Sequence, residues 1–320
     1  MSIVVIKPGA LSSFQDLGRF GSQHLGIPVS GVMDERAHRQ ACMLVGNAAS
    51  EASLEITLMG PTLQFEVATL IAVTGADLGA ALNGQALPLE TAVPVAAGDQ
   101  LCFGKRVDGV RAYLAVAGGF ALTPVMGSTS TYVRGGFGGI HGRGLQKGDR
   151  IGLRDAGLPS PLPGRAVSYP VDIARPKPAP LRIVPGREWH AFSVQARQRI
   201  VSEPFRISPK SDRMGCRLEG PGLALDQAMN LPSEAVTFGT IQVPPDGLPI
   251  VLMADRQSTG GYPRIANIAS VDLPRLAQTM AGETVSFEWI TLGQAQQLAM
   301  AQCEIFERME GALGQHGFQS

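Results

Sequence analysis

The sequence predicts a mainly β protein built in two halves with few helices. Three observations predict it. Glycine (39) and proline (23) are abundant among the 320 residues and scattered rather than periodic, as expected of many short strands joined by tight turns. Short apolar runs recur at 3–6 (IVVI), 69–73 (TLIAV), 112–116 (AYLAV), 181–184 (LRIV) and 250–253 (IVLM), with turn residues between them. Eight of the 23 prolines crowd into 159–185, where their missing N–H donors argue for an extended connector. The chain thus divides into an N-terminal β-rich domain, 1–157, a Pro-rich connector, 158–185, and a C-terminal domain, 186–320, which closes on a helix.

Local signals place the elements in order. Asp34 can cap a helix running to about Val45, stopped by Gly46. Asn83-Gly84 is a type I′ hairpin signal. A glycine-acid pair stands before a strand at Gly98-Asp99, Gly148-Asp149 and Gly282-Glu283, each expected to open a hairpin. Asp272 can cap a helix through about Thr279. A last helix follows Thr291, where Leu298, Ala299, Cys303, Ile305, Phe306 and Met309 recur at helical spacing and would pack on a barrel or sheet. The halves echo one another: 54–65 (LEITLMGPTLQF) and 218–225 (LEGPGLAL) share Leu-Glu, Gly-Pro and a following Leu.

Several function classes fall away. The formal net charge is zero, which argues against nucleic acid or an anionic membrane surface as partner. No stretch approaches the ~20 apolar residues of a membrane span, and the first residues lack the apolar core of a signal peptide. Cys42, Cys102, Cys216 and Cys303 are isolated in sequence, which predicts no disulfide, no zinc site and a cytoplasmic setting. Gly104-Lys105 misses a P-loop because Asp99 stands where its first glycine belongs. The stretch 135–144 (GGFGGIHGRG) misses a dinucleotide fingerprint because His141 replaces its last glycine; a glycine-rich turn or mobile flap is expected instead. The five histidines share no metal spacing, so no metal is expected.

Three polar clusters remain. In 12–34, Gln15, Asp16 and Arg19 arrive within five residues, ahead of glycine-rich coil. In 208–221, Asp212-Arg213 precede Met214-Gly215, and an ion-pair network explains them as readily as a site does. The third, 255–266 (DRQSTGGYPRIA), follows the buried-looking run 250–253. Gly260 and Gly261 permit close approach of a ligand to bare backbone. Gln257, Ser258 and Thr259 offer donors and acceptors without charge, Asp255 and Arg256 a charged pair, and Tyr262 a phenol. Such a set suits a small planar amide, which needs both donors and acceptors. The bland alternative is a turn held by its own side chains.

The stretches SDRMGCRLEGP (211–221), IQVPPDGLPIVLMADRQSTGGYPRIA (241–266), RAYLAVAGGF (111–120) and GSTST (127–131) carry a family resemblance. With SSFQDLGRFG (12–21), TGAD (74–77) and VDLPRLAQ (271–278), they span nearly the whole chain. The sequence resembles the KipA / allophanate hydrolase subunit 2 family, biotin-dependent carboxyltransferase proteins that include the C-type subunit of 5-oxoprolinase. It departs from the usual pattern at Ala235 and Phe238, and by Ser258 in QSTGGYP.

The resemblance implies two cyclophilin-like β-barrel domains with a few peripheral helices. It also implies a KipI-like partner and, in the oxoprolinase version, a LamB/YcsF-type subunit. The expected function is a subunit of an ATP-dependent 5-oxoprolinase complex, opening a lactam to L-glutamate. ATP would be used by the complex. Biotin would enter only on another protein, because no biotinyl-lysine motif is present. Arg213 or Arg256 would meet oxyanion or phosphoryl charge, and Asp212 or Asp255 would orient the arginine or move a proton. Tyr262 would act with them. Gln257, Ser258, Thr259, Gly260 and Gly261 would hold the substrate, with Gln15 and Arg19 closing the site from the first domain. The alternatives are carboxyl transfer from carboxybiotin to a urea- or guanidine-like nitrogen, and a non-catalytic regulator that binds a KipI-like kinase inhibitor. All of these share one geometric expectation: the loops of Asp212-Arg213 and 255–262 converge on a common cavity.

Overall fold

The computed structural model describes residues 1–154 and 178–315, with side chains as far as 311; most of the expected connector lies outside the described residues. The fold is mainly β. Among the described residues, two compact units form: one from 1–19, 30–154 and 306–315, the other from 20–29 and 178–305.

The first unit contains β1 (Ser2–Lys7), β2 (Leu11–Gln15), β3 (Ser53–Thr57), β4 (Thr62–Phe65), β5 (Thr69–Asp77) and β6 (Ala80–Leu82). β7 (Gln85–Ala86), β8 (Ala92–Val95), β9 (Gln100–Phe103), β10 (Asp108–Val116) and β11 (Arg150–Gly152) complete it. They make two antiparallel sheets, ordered β11-β1-β4-β9-β6-β7 and β2-β3-β10-β5-β8. Period-2 side chains explain the packing: Ile3 and Val5 of β1, Leu63 and Phe65 of β4 and Leu101 of β9 share one core with Phe14, Leu54, Ile56, Ile71, Val73 and Leu114 of the other sheet. Helix α1 (Glu35–Leu44) covers the outer face of the five-stranded sheet with Ala37, Ala41, Cys42 and Leu44 against Leu70, Ala72, Tyr113 and Ala115. Its N-cap is Asp34, whose carboxylate accepts from the Ala37 N–H at 3.0 Å. His38 of α1 is buried, its ring held between Ser53 Oγ (2.8 Å) and the Ala49 carbonyl (2.9 Å), and burial lowers its pKa.

The second unit contains β12 (Leu181–Pro185), β13 (Phe205–Ile207), β14 (Gly215–Glu219), β15 (Glu234–Ala235), β16 (Thr240–Gln242) and β17 (Ile250–Leu252). β18 (Thr259–Gly260), β19 (Arg264–Ile268), β20 (Thr284–Val285) and β21 (Phe287–Trp289) follow. Eight of these form one sheet, ordered β20-β13-β14-β17-β16-β19-β12-β21. Its two terminal strands, β20 and β21, are separated in the chain by Ser286 alone, so the sheet curls until its ends meet and is nearly closed. β15 and β18 make a separate two-stranded ribbon. Helix α2 (Val194–Ser202) is capped by Ser193, which accepts from the Ala196 N–H.

The Asn83-Gly84 hairpin signal is met, joining β6 to β7. Asn83 and Gly84 take φ of 51° and 80° between β6 and β7. β9, β11 and β20 each begin directly after their glycine-acid pair, but none of these pairs opens a hairpin: β9 pairs with β4 and β6, β11 with β1 and β20 with β13, in no case the strand just before it in the chain. Four local expectations need correction or detail. Helix α3 spans only Leu273–Ala277, and Asp272 does not cap it. The buried Asp272 carboxylate instead takes the backbone N–H and guanidinium of Arg182 at 2.6–2.9 Å, because an unpaired Arg182 there would cost more than a missing cap. Helix α4 (Leu292–Gln315) starts with a reciprocal cap, Gln294 N–H to Thr291 Oγ1 and Thr291 N–H to Gln294 Oε1. Ile305 and Phe306 are buried and Cys303 is exposed. Phe306 lies under the Arg39 guanidinium of α1. The 54–65 echo ends at Gly-Pro: the first copy enters β4, whereas 222–225 is loop.

Residues 135–144 form a glycine-rich turn locked by close backbone packing. A Cβ at Gly138 would lie 2.0 Å from the Ser130 carbonyl oxygen, and one at Gly142 would lie 1.9 Å from the Gly136 backbone. Among the described residues no helix is long and apolar enough to cross a membrane.

Candidate functional site

β17 carries the buried run outward, and burial continues through Asp255. β14 and β17 pair antiparallel, which sets Arg213 beside Asp255. Arg213 Nε donates to Asp255 Oδ2 at 2.9 Å and Nη2 to Oδ1 at 3.3 Å, with both residues under a tenth exposed. Backbone bonds close the junction: Asp255 N–H to the Arg213 carbonyl at 2.8 Å and Met253 N–H to the Met214 carbonyl at 2.9 Å. Asp212 faces solvent and its Oδ1 accepts from the Met214 and Gly215 N–H groups, a turn stabilised by its own side chain.

Arg256 differs from Arg213. Its guanidinium is half-buried and donates to the Val236, Met253 and Ala254 carbonyls at 3.3–3.5 Å. It lies 5.9 Å from the Phe238 ring centroid, so the family departure at Phe238 is in contact with it. Burial pulls its pKa below the ordinary arginine value, against the charge of Asp255.

Beyond Arg256 the chain runs into the ribbon, where Thr259 pairs with Ala235 and Gly260 with Glu234. Arg264 on β19 ties the ribbon down. It grips Glu188 through two nitrogens (2.6 and 2.7 Å) and reaches Glu234 at 2.8 Å, which also takes Arg187 at 2.7 Å. Burial raises the Glu188 pKa, but the Arg264 hydrogen bonds outweigh it and hold the carboxyl below its usual range. Gln242, 1% exposed, sits behind the glycines; its Nε2 donates to the Tyr262 carbonyl at 3.1 Å and its Oε1 accepts from Gln257 at 3.4 Å.

Gly261, Tyr262 and Pro263 then line a cavity of about 690 Å³ with 222–225, 228–231 and 243–247. Tyr262 (47% exposed) and Met229 (41%) reach solvent. Asp246 is the one charged side chain among the described lining residues, which include neither lysine nor arginine. Such a wall offers apolar surface, the Tyr262 phenol, the Asn230 amide, the Asp246 carboxylate and main-chain polar groups, a set with which a small planar amide ring can bond. It offers no cationic side chain to a triphosphate.

The expected residues therefore separate. Arg213 and Asp255 meet in an ion pair, but the two loops do not share this cavity: Asp212, Arg213, Asp255, Arg256, Gln257, Ser258, Thr259 and Gly260 are not among its lining residues, whereas Gly261 and Tyr262 are. Gln15 and Arg19 belong to the first unit, where both are fully buried. Gln15 donates to Ser13 and the Thr131 carbonyl; Arg19 donates to the carbonyls of Val125 and Ser130 and lies over Phe137. Between them, burial opposes the charge of Asp16, but bonds from Ser130, Ser128, Thr129 and Gly18 prevail and hold its carboxyl below the ordinary range. Sequence reasoning missed Gln242, Arg264 and the cavity walls 222–231 and 243–247. The Pro244-Pro245-Asp246-Gly247 turn was the available signal.

With this geometry in place, comparison with known proteins is informative. The family described as carboxyltransferase domain, subdomain A and B, matches residues 25–289. The chain is 38% identical to the C-type subunit of 5-oxoprolinase from Haemophilus influenzae, covering 92% of this chain and 94% of that protein. It is also 38% identical to the corresponding 5-oxoprolinase subunit of Escherichia coli, covering 95% and 96%. The solved urea amidolyase of K. lactis superposes with a TM-score of 0.89 at 30% identity, over 96% of this chain and 20% of that one.

Proposed function

We propose a function from one premise: the chain belongs to the carboxyltransferase-domain family, subdomains A and B. The function is that of a subunit in an ATP-dependent 5-oxoprolinase complex, working with a KipI-like subunit and a LamB/YcsF-type subunit. The lactam C–N bond of 5-oxoproline breaks, and water supplies the oxygen of the new carboxylate. In this reading the lactam ring enters the cavity at 261–263. Tyr262 and main-chain groups of 243–247 and 261–263 orient the amide, and the apolar side chains of the walls exclude bulk water around it.

One observation carries the reading: a cavity with no cationic side chain, Asp246 being its one charged lining residue, sits at the glycine pair, in a chain that matches the C-type subunit of 5-oxoprolinase over nearly its whole length. The same wall says what this chain leaves to others. It holds no lysine or arginine for the substrate carboxylate or for phosphoryl charge, so those groups fall to a partner subunit. Arg213, neutralised by Asp255, acts as a brace. The test is glutamate release from 5-oxoproline by the complex purified with and without this chain. Release that is undiminished without it removes the proposal.

A second reading has its own support in the superposition on urea amidolyase. There a urea-like acceptor nitrogen would be carboxylated. The lining at 243–247 and 261–263, with its main-chain donors and acceptors and no cationic side chain, also suits the ureido ring of biotin carried in on another protein, which would supply the carboxyl group.

A further inference from the structure

We propose that Gln242 is the positioning residue of the cavity: it sets where Gly261 and Tyr262 stand, and through them the grip on substrate. The proposal rests on the reading above that the cavity binds substrate.

Three observations converge on Gln242. Its side chain is 1% exposed, yet both ends of its amide are used, Nε2 on the Tyr262 carbonyl and Oε1 on Gln257 Nε2. One side chain therefore ties together the two ends of the loop 257–262. Second, Gly260 is shaped around it. A Cβ at Gly260 would lie 2.7 Å from Gln242 Nε2 and 3.1 Å from Oε1, so the absence of a side chain at 260 is what admits the amide. Third, the strand register slips at this residue. Ile241 faces Ala266, but Gln242 faces Arg264, skipping Ile265. That irregularity lets Val243 N–H take the Pro263 carbonyl at 2.9 Å, joining the two cavity walls directly behind Gln242. Arg264, the charged group opposite, has its guanidinium occupied by Glu188 and Glu234. A buried amide with both ends engaged fixes a loop strongly, because losing one partner leaves the other end unsatisfied.

Two variants test it in the full chain. Gln242→Leu keeps the volume and removes both bonds. Backbone hydrogen exchange over 257–263 should quicken about tenfold, and KM for 5-oxoproline in the complex should rise about tenfold while kcat changes less. Gln242→Glu separates positioning from bulk packing. Burial raises the pKa of the new carboxyl. Protonated, it donates to the Tyr262 carbonyl as the amide does. Ionised, it sets acceptor against acceptor. Exchange and KM should therefore be near wild type at about pH 5 and approach the leucine variant by about pH 8, after correction for the wild-type profile. If Gln242→Leu fails to fold, the glutamate variant alone decides. Exchange over 257–263 that matches wild type in both variants, or is raised equally in Gln242→Glu at both pH values, overturns the proposal. Faster exchange with unchanged KM upholds the positioning role and removes the cavity as the substrate site.

Discussion

Arg213 and Asp255 form a two-bond ion pair in which each residue is less than a tenth exposed. It joins the ends of β14 and β17 and sets the angle at which the chain leaves the barrel toward the cavity. Breaking it leaves a buried charge without its partner. Arg213→Ala should destabilise the chain by about 3–5 kcal/mol, read by denaturant unfolding. A loss below about 1 kcal/mol would show that the pair does not brace this junction.

Tyr262 behaves differently. Its side chain reaches solvent, so Tyr262→Phe should leave stability within about 0.5 kcal/mol. If the phenol orients the amide, the complex should lose about tenfold in turnover of 5-oxoproline. Wild-type turnover with the phenylalanine variant would remove the phenol from the site.

The Asp16 network makes stability depend on pH. Its folded pKa lies below the ordinary 3.8 because Ser130, Ser128, Thr129 and Gly18 all donate to it, against burial. A depressed folded pKa means stabilisation that is complete above 3.8 and lost as pH falls through the folded value. Asp16→Asn should therefore be less stable than wild type at neutral pH, with the gap narrowing below about pH 4. A gap that stays constant into acid would contradict this.

The locked turn 135–144 gives a paired test. Gly136 has φ +68° and open space around a Cβ, so Gly136→Ala should cost only about 1–2 kcal/mol. Gly142 has φ +65°, and its Cβ would meet the Gly136 backbone at 1.9 Å. Gly142→Ala should cost more than about 4 kcal/mol or prevent folding. Equal melting points for the two variants would refute the packing given for this loop.

Much of this was legible in residue order because it is local. Asp34 and the α1 cap, Asn83-Gly84 and its hairpin, and the glycine-acid pairs before β9, β11 and β20 are each decided within a few residues. Asp272 misled for the opposite reason: its partner, Arg182, lies 90 positions away, and a buried ion pair outranks a helix cap. The site divides along the same line. Gly261 and Tyr262 were readable as a glycine pair beside a phenol. Gln242 was not, because its importance comes from a register slip on β16 and from the space above Gly260, neither of which leaves a local motif. The walls 222–231 carry no site motif of their own; the fold sets them across from 261–263.

The central claim is that this chain completes a complex for opening 5-oxoproline, and substrate-dependent ATP turnover tests it most directly. The chain would be purified with its KipI-like and LamB/YcsF-type subunits, and ATP hydrolysis followed with 5-oxoproline or urea, with and without a biotin carrier. The account predicts stimulation by 5-oxoproline alone, independent of biotin and matched by glutamate release. Stimulation by urea that requires the biotin carrier, with 5-oxoproline inert, would contradict it.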